Sequence, residues 1–277
     1  MDIWPYSVDL GRDYEVEESD VALDTFETAQ KERLWTRPMI QWSPDIVTND
    51  KDPRKLKISR ALIGTYGAGQ LYLRSRYPNV RVVGHILAPF ADTTGGSFDR
   101  SRISNRSCPI LVPEDEIGTL VVAIGYEVPP EHAFEWTKVF FEHIEAERYV
   151  LLGSFGITEY QSADADMENV SPPLLRGLDT LHQLPNEIQH LESPNIASGV
   201  IAAALAHCIA RRQHATALLS LEESSMGSSV ATIETLTALH EGLNRIAGQA
   251  AKLGVDVLAQ QLREHLRLGH GKTLLYI

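Results

Sequence analysis

The sequence predicts an α/β fold: a three-layer domain with a mixed, largely parallel sheet and helices on both faces. Leu120–Ile124 is a continuous apolar run, as expected for a strand that is buried on both faces. Pro129–Pro130 follows it, and apolar residues then recur at helical spacing over 131–146. Arg148–Leu152 is the next apolar strand. A strand, a helix and a strand within about forty residues form a βαβ unit, so we expect parallel strands.

The first part of the chain, 1–54, predicts a flexible, partly disordered arm outside this domain. Acidic side chains dominate between Asp13 and Glu32, a composition that does not favour a buried core. The aromatic residues through which the arm could dock are Trp4, Trp35 and Trp42. A solvated leader with no docking role is the alternative that the sequence leaves open.

The predicted domain spans 55–268. A strand at Ala61–Gly64 opens it. The segment 91–107 is rich in Gly, Ser, Asp and Arg and reads as a loop. Ile110–Val112 is a short strand or one arm of a hairpin.

The alternation of helix and strand returns in the second half of the domain. An alanine-rich helix is expected over 198–212, after a turn at Ser193–Asn195. Ala215–Leu221 is the next strand. Two helices, 228–253 and 255–268, then complete the domain, with a glycine between them and another after the second.

The last segment, 269–277, predicts a flexible tail that can dock into another protein. It ends with Leu275, Tyr276 and Ile277. An apolar side chain, a tyrosine ring with its hydroxyl and a terminal carboxylate can together be captured in a pocket. The alternative is a chain that simply ends in a buried strand.

Composition excludes several classes of partner. The 277 residues include 37 acidic and 25 basic side chains, for a net charge of -12. Nucleic acids and anionic membranes both require a basic surface, so we expect neither as a partner. No stretch approaches the ~18–20 apolar residues of a membrane-spanning helix. Cys108 and Cys208 lie far apart in a sequence that shows no secretory signal, so we expect reduced thiols in the cytoplasm, with the nucleus left open as a second compartment.

No motif predicts catalytic residues, a cofactor or a metal. Gly269–Thr273 resembles the end of a phosphate-binding loop, but Leu266 stands where that motif needs glycine. Gly64–Gly69 reverses the spacing of the dinucleotide fingerprint, so a tight strand-to-helix turn is the simpler interpretation. Gly153–Gly156 is one residue too short for a nucleophile elbow. A small-molecule hydrolase or phosphorylase on the same scaffold stays as the alternative function.

Four short patches stand out along the domain, and their order and spacing are informative. They are Glu135–Phe140, Gly156–Tyr160, Ser171–Leu178 and Glu192–Ile196. With the ending Leu275–Ile277, which fits a hydrophobic–tyrosine–any-residue tail, they resemble the proteasome assembly chaperone 1 family. The resemblance covers roughly 56–277, although 84–117 matches it poorly.

This resemblance implies a binding protein without chemistry. It would form a heterodimer with a second, related proteasome assembly chaperone. The pair would bind the ring of proteasome α subunits during assembly of the 20S particle, and keep such rings from pairing or aggregating. Leu275, Tyr276 and Ile277 would enter a pocket between adjacent α subunits. A tail-bearing adaptor for another ring-shaped machine is the remaining possibility.

Overall fold

The computed structural model describes residues 37–47, 55–91, 107–156, 159–161, 174–225, 228–247, 256–260 and 263. The predicted tail at 269–277 and most of the predicted arm at 1–54 lie outside these ranges. The proposed domain boundaries therefore stay predictions.

Within the described residues the chain forms strands and helices in alternation. The strands are β1 (Met39–Trp42), β2 (Leu56–Gly64), β3 (Val80–Leu87), β4 (Pro109–Pro113), β5 (Thr119–Ala123), β6 (Ile144–Gly156), β7 (Leu175–Asp179), β8 (His214–Ser225) and β9 (Ser228–Val230). The helices are α1 (Pro44–Val47), α2 (Ala68–Arg76), α3 (Pro130–His143), α4 (Gly199–Arg211) and α5 (Ile233–Ala247).

The strands form one mixed sheet in the order β1-β3-β4-β5-β2-β6-β8-β7, and β9 pairs with the end of β8. β5 and β6 both run parallel to β2, which lies between them, and β8 runs parallel to β6. The parallel relationship predicted for the βαβ unit is thus confirmed. The outer pairs β1–β3, β3–β4, β4–β5 and β7–β8 are antiparallel.

The α/β class with a mixed sheet and helices on both faces is confirmed, but the expectation of a largely parallel sheet holds only at the centre. A strand that is buried on both faces is apolar whichever way its neighbours run, so its composition does not encode direction. The link between β4 and β5 is a short turn through Gly118, whose φ is 79°. Parallel neighbours need a long crossover, so such a turn imposes antiparallel pairing.

Two helical layers cover the two faces of the sheet. Side chains alternate between the faces along each strand. On β2, Ala61 and Ile63 pack in one core with Trp136 of α3 and Cys208 of α4. Leu62 points the other way, into a second core that contains residues of α2 and α5. The three-layer arrangement follows from this alternation.

Several elements differ from the sequence-based expectation. The helix expected over 228–253 begins later, because Ser228–Val230 forms β9 and Thr232 ends the connection that follows it. The Thr232 hydroxyl accepts a hydrogen bond from the backbone N–H of Thr235 at 3.2 Å, which caps the start of α5. β1 lies in the range predicted as an arm, and it pairs with β3.

The edge strand β7 is covered by a segment of its own chain. The backbone N–H of Gly177 donates to the carbonyl oxygen of Gln189 at 2.8 Å, and the N–H of Leu191 donates to the carbonyl oxygen of Gly177 at 3.0 Å. A Cβ at Gly177 would lie 2.7 Å from Leu184 and 3.0 Å from Ile188. Glycine therefore lets the segment approach this strand closely.

Candidate functional site

The three residues predicted to contact a partner, Leu275, Tyr276 and Ile277, lie outside the described residues. Their docking role stays a prediction. The described residues instead show where the four patches lie. The first patch is part of α3, where Trp136 and Phe140 are buried in the core. The Trp136 Nε1–H donates to the Tyr126 hydroxyl at 3.0 Å, so this patch maintains the fold.

The other three patches meet in one cluster of side chains, which we name the polar clasp. Its members are Tyr160, Arg176, Glu192 and Asn195. Arg176 donates two hydrogen bonds to the Glu192 carboxylate, from Nε at 2.7 Å and from Nη2 at 3.1 Å. Such a bidentate pair fixes the relative orientation of its two groups. The Tyr160 hydroxyl donates to the same carboxylate.

Asn195 completes the clasp by binding backbone groups on two segments. Its Nδ2 donates to the carbonyl oxygens of Gln161 and Glu192 at 2.8 and 2.9 Å. Its Oδ1 accepts a hydrogen bond from the backbone N–H of Gln161 at 2.8 Å. One amide therefore joins the segment that follows β6 to the turn that precedes α4.

The central ion pair of the clasp is largely shielded from solvent. The side chains of Arg176 and Glu192 are 12% and 24% exposed. Burial lowers the pKa of Arg176 from its ordinary value. A shielded pair of this kind is costly to break, because removal of one partner leaves the other with an unpaired charge. The clasp is therefore a specific structural restraint.

The clasp holds a loop that projects an apolar side chain. Ile196, which follows Asn195, is 88% exposed. It borders a cavity of about 60 Å³ that Phe155 and Ser198 also line. The loop lies at the carboxyl end of the central strands, since Phe155 is near the end of β6. The clasp therefore restrains this surface, on which Ile196 is an exposed apolar side chain.

The glycine-rich turn after β2 is explained by close packing. A Cβ at Gly64 would collide with the carbonyl oxygen of Gly69, and a Cβ at Gly69 would collide with the carbonyl oxygen of Leu152. The backbone N–H of Thr65 also donates to the Leu152 carbonyl oxygen at 2.9 Å. These contacts support the interpretation of a tight strand-to-helix turn that seats α2 against β6.

A carboxylate lies at the N-terminus of α2, where a nucleotide-binding fold would place a phosphate. The backbone N–H of Ala68 donates to Glu222 Oε1 at 3.3 Å, and Glu222 is buried. The Glu222 carboxyl oxygen thus already accepts from an N–H group that a phosphate at this helix N-terminus would use. The turn is therefore unfavourable for a phosphate ligand. Glu222 lies 154 residues after Ala68, so no local motif reveals the contact.

The next features are the possible metal ligands and the two cysteines in the described part of the chain. Among those residues, no group of three or more His, Cys, Asp or Glu side chains could hold a metal ion. Cys108 and Cys208 are buried free thiols. Burial raises the pKa of Cys208 to about 12 and that of Cys108 further. Both are thus protonated and weakly reactive near neutral pH. No described helix is both long and apolar enough to cross a bilayer.

The fold is similar to that of several solved structures. A protein of unknown function from Thermoplasma acidophilum is 13% identical, with 78% of this chain and 86% of that chain covered and a TM-score of 0.59. Pyrococcus furiosus PbaA, described as an archaeal homolog of proteasome-assembly chaperone, is 14% identical, with coverages of 77% and 92% and a TM-score of 0.56. Pyrococcus furiosus PbaB, described as an archaeal proteasome activator, is 13% identical, with coverages of 84% and 98% and a TM-score of 0.55. At these identities the likeness is one of fold.

The architecture thus places this chain in the class of α/β folds that these solved structures share. No curated protein sequence matches this chain significantly. A family model named PAC1 and described as proteasome assembly chaperone 4 matches residues 27–266. The chain therefore belongs to this proteasome assembly chaperone family. The match establishes the family and not one member of it.

Proposed function

We propose that this protein is a chaperone for assembly of the 20S proteasome, of the chaperone 1 type. It forms a heterodimer with a second, related chaperone, and the pair binds the ring of α subunits. Membership of the proteasome assembly chaperone family, matched over 27–266, is the observation that carries this proposal. The order of the four patches and the ending at Leu275–Ile277 favour the chaperone 1 type.

The polar clasp supports a binding role for the patches. Three of them are separated along the chain, yet Tyr160, Arg176 and Glu192 contact one another directly. Their arrangement restrains a surface loop, which is what a binding protein needs in order to present one shape to a partner.

The tail contributes part of the affinity for the α-subunit ring. Ordering three residues costs ~1–2 kcal/mol each. A charge-assisted hydrogen bond to the terminal carboxylate returns ~1.5–3 kcal/mol. Burial of the Leu275 and Tyr276 side chains adds ~1.5–3 kcal/mol each. The net is a few kcal/mol, which corresponds to roughly millimolar affinity. The body of the heterodimer and a second tail therefore supply the remainder through avidity.

The alternative, a hydrolase or phosphorylase, is not favoured by the geometry of the first of its two candidate turns. It needs a pocket with convergent polar groups near Gly64–Gly69 or Gly153–Gly156. The first turn is closed by packing against Leu152, and its helix N-terminus is occupied by Glu222. Titration of the purified protein with inorganic phosphate and with nucleosides, followed by calorimetry, tests this alternative directly.

Co-purification with proteasome α subunits tests the chaperone proposal. The full chain and a chain that lacks Leu275, Tyr276 and Ile277 are each co-expressed with the candidate partner chaperone. A Lys272→Ala chain serves as the matched control, because it changes the tail but not its last three residues. We expect the full chain and the control to retain α subunits and the truncated chain to retain less, with partner binding unchanged.

The possible results separate the parts of the proposal. Equal retention of α subunits by all three chains would show that the last three residues are not needed for binding. The proposal that the protein is a proteasome assembly chaperone would still stand. No retention by any chain would overturn the chaperone proposal for this protein. Imaging of a tagged chain in cells tests the expected cytoplasmic location and shows whether the protein also enters the nucleus.

A further inference from the structure

We draw no further inference here: the strongest candidate, the outward face of α4, where Ile209 is 61% exposed and Ala206 and Ala210 are also exposed, is an apolar surface without a partner among the described residues, and nothing in the structure shows what covers it.

Discussion

Arg176 and Glu192 join the edge strand β7 to the loop that precedes α4 through two hydrogen bonds of 2.7 and 3.1 Å. They are sixteen residues apart in the chain, and each belongs to a different family patch. Residues that carry the family resemblance in the sequence therefore restrain the shape of a surface in the structure. The strength of this restraint can be tested by mutation.

Replacement of Glu192 with alanine should destabilise the protein. The change leaves the shielded Arg176 guanidinium unpaired and removes the acceptor of the Tyr160 hydroxyl. We expect the free energy of unfolding to fall by about 1.5–3 kcal/mol, the usual range for hydrogen bonds to charged groups. Urea unfolding followed by circular dichroism measures the change.

Glu241→Ala is the control, because its pair with Arg245 is 3.8 Å long and largely exposed. That variant should lose no more than about 0.5 kcal/mol. Similar losses in both variants would mean that the clasp adds no specific stability.

The stability should depend on the ionisation of Asp179 at acidic pH. Burial raises the pKa of this carboxyl, but hydrogen bonds from Thr216, from the backbone N–H groups of Gln183 and Leu181, and from His214 outweigh it and lower the pKa below 3.8. The pKa of Asp179 is lower in the folded state than in the unfolded state. The ionised carboxylate therefore stabilises the fold fully at pH values above the pKa of the unfolded state. This stabilisation is lost as the pH falls through the pKa of the folded state.

Asp179→Asn should therefore be most destabilising near neutral pH. The difference in the free energy of unfolding between wild type and variant should shrink as the pH drops below about 4. Denaturant titrations at pH 7, 5 and 3 measure this difference. A difference that stays constant over the three pH values would show that the carboxylate charge does not matter.

Gly69→Ala should be more harmful than Gly199→Ala. A Cβ at Gly69 meets the Leu152 carbonyl oxygen, which belongs to the central strand β6 and cannot easily move. We expect a loss of about 1–3 kcal/mol or more from overpacking. Gly199 has a φ of 58° and no atom within 4 Å of an added Cβ. Alanine at position 199 should lower the free energy of unfolding by about 1 kcal/mol, the energy that a residue with a Cβ needs to adopt the left-handed conformation. Thermal unfolding of the two variants compares the effects, and the reverse order would contradict the packing argument.

Tyr276→Ala should weaken binding to proteasome α subunits without changing the stability of the fold. Loss of the buried ring removes about 1.5–3 kcal/mol, or roughly ten- to a hundredfold in Kd. Tyr276→Phe keeps the ring and loses only the hydroxyl, so its effect should be smaller. Titration of purified α subunits with the heterodimer measures both variants. Wild-type affinity in Tyr276→Ala would remove the ring from the proposed contact.

The sequence predicts the centre of this fold better than its edges. Leu120–Ile124 and Arg148–Leu152 are apolar runs because helices cover both faces of these strands. Burial on both faces can therefore be recognised from the amino-acid sequence alone. β7 has no such signal: Arg176, Gly177 and Asp179 interrupt it, since the strand lies at the edge and its residues serve the clasp and close packing. Its pairing with β8 depends on contacts that no local pattern encodes.

The candidate site shows the same division. The family patches could be recognised from their residue types and their order. Only the structure shows that three of them contact one another, because the contacting residues are far apart in the sequence. Gln161 and Asn195 contact each other across 34 positions, and Ala68 and Glu222 across 154. Periodicity, capping and turn rules act over a few residues, so they cannot detect such pairs.

The covered middle of β7 affects how the protein behaves at high concentration and beside incompletely folded chains. An open strand edge is a template on which other chains can add strands and aggregate. At Gly177 both backbone groups are already bonded to the chain's own Gln189 and Leu191. A second copy or an unfolded strand therefore cannot extend the sheet at that point. At Gly177 a partner can therefore be recognised through its side chains but not through strand addition.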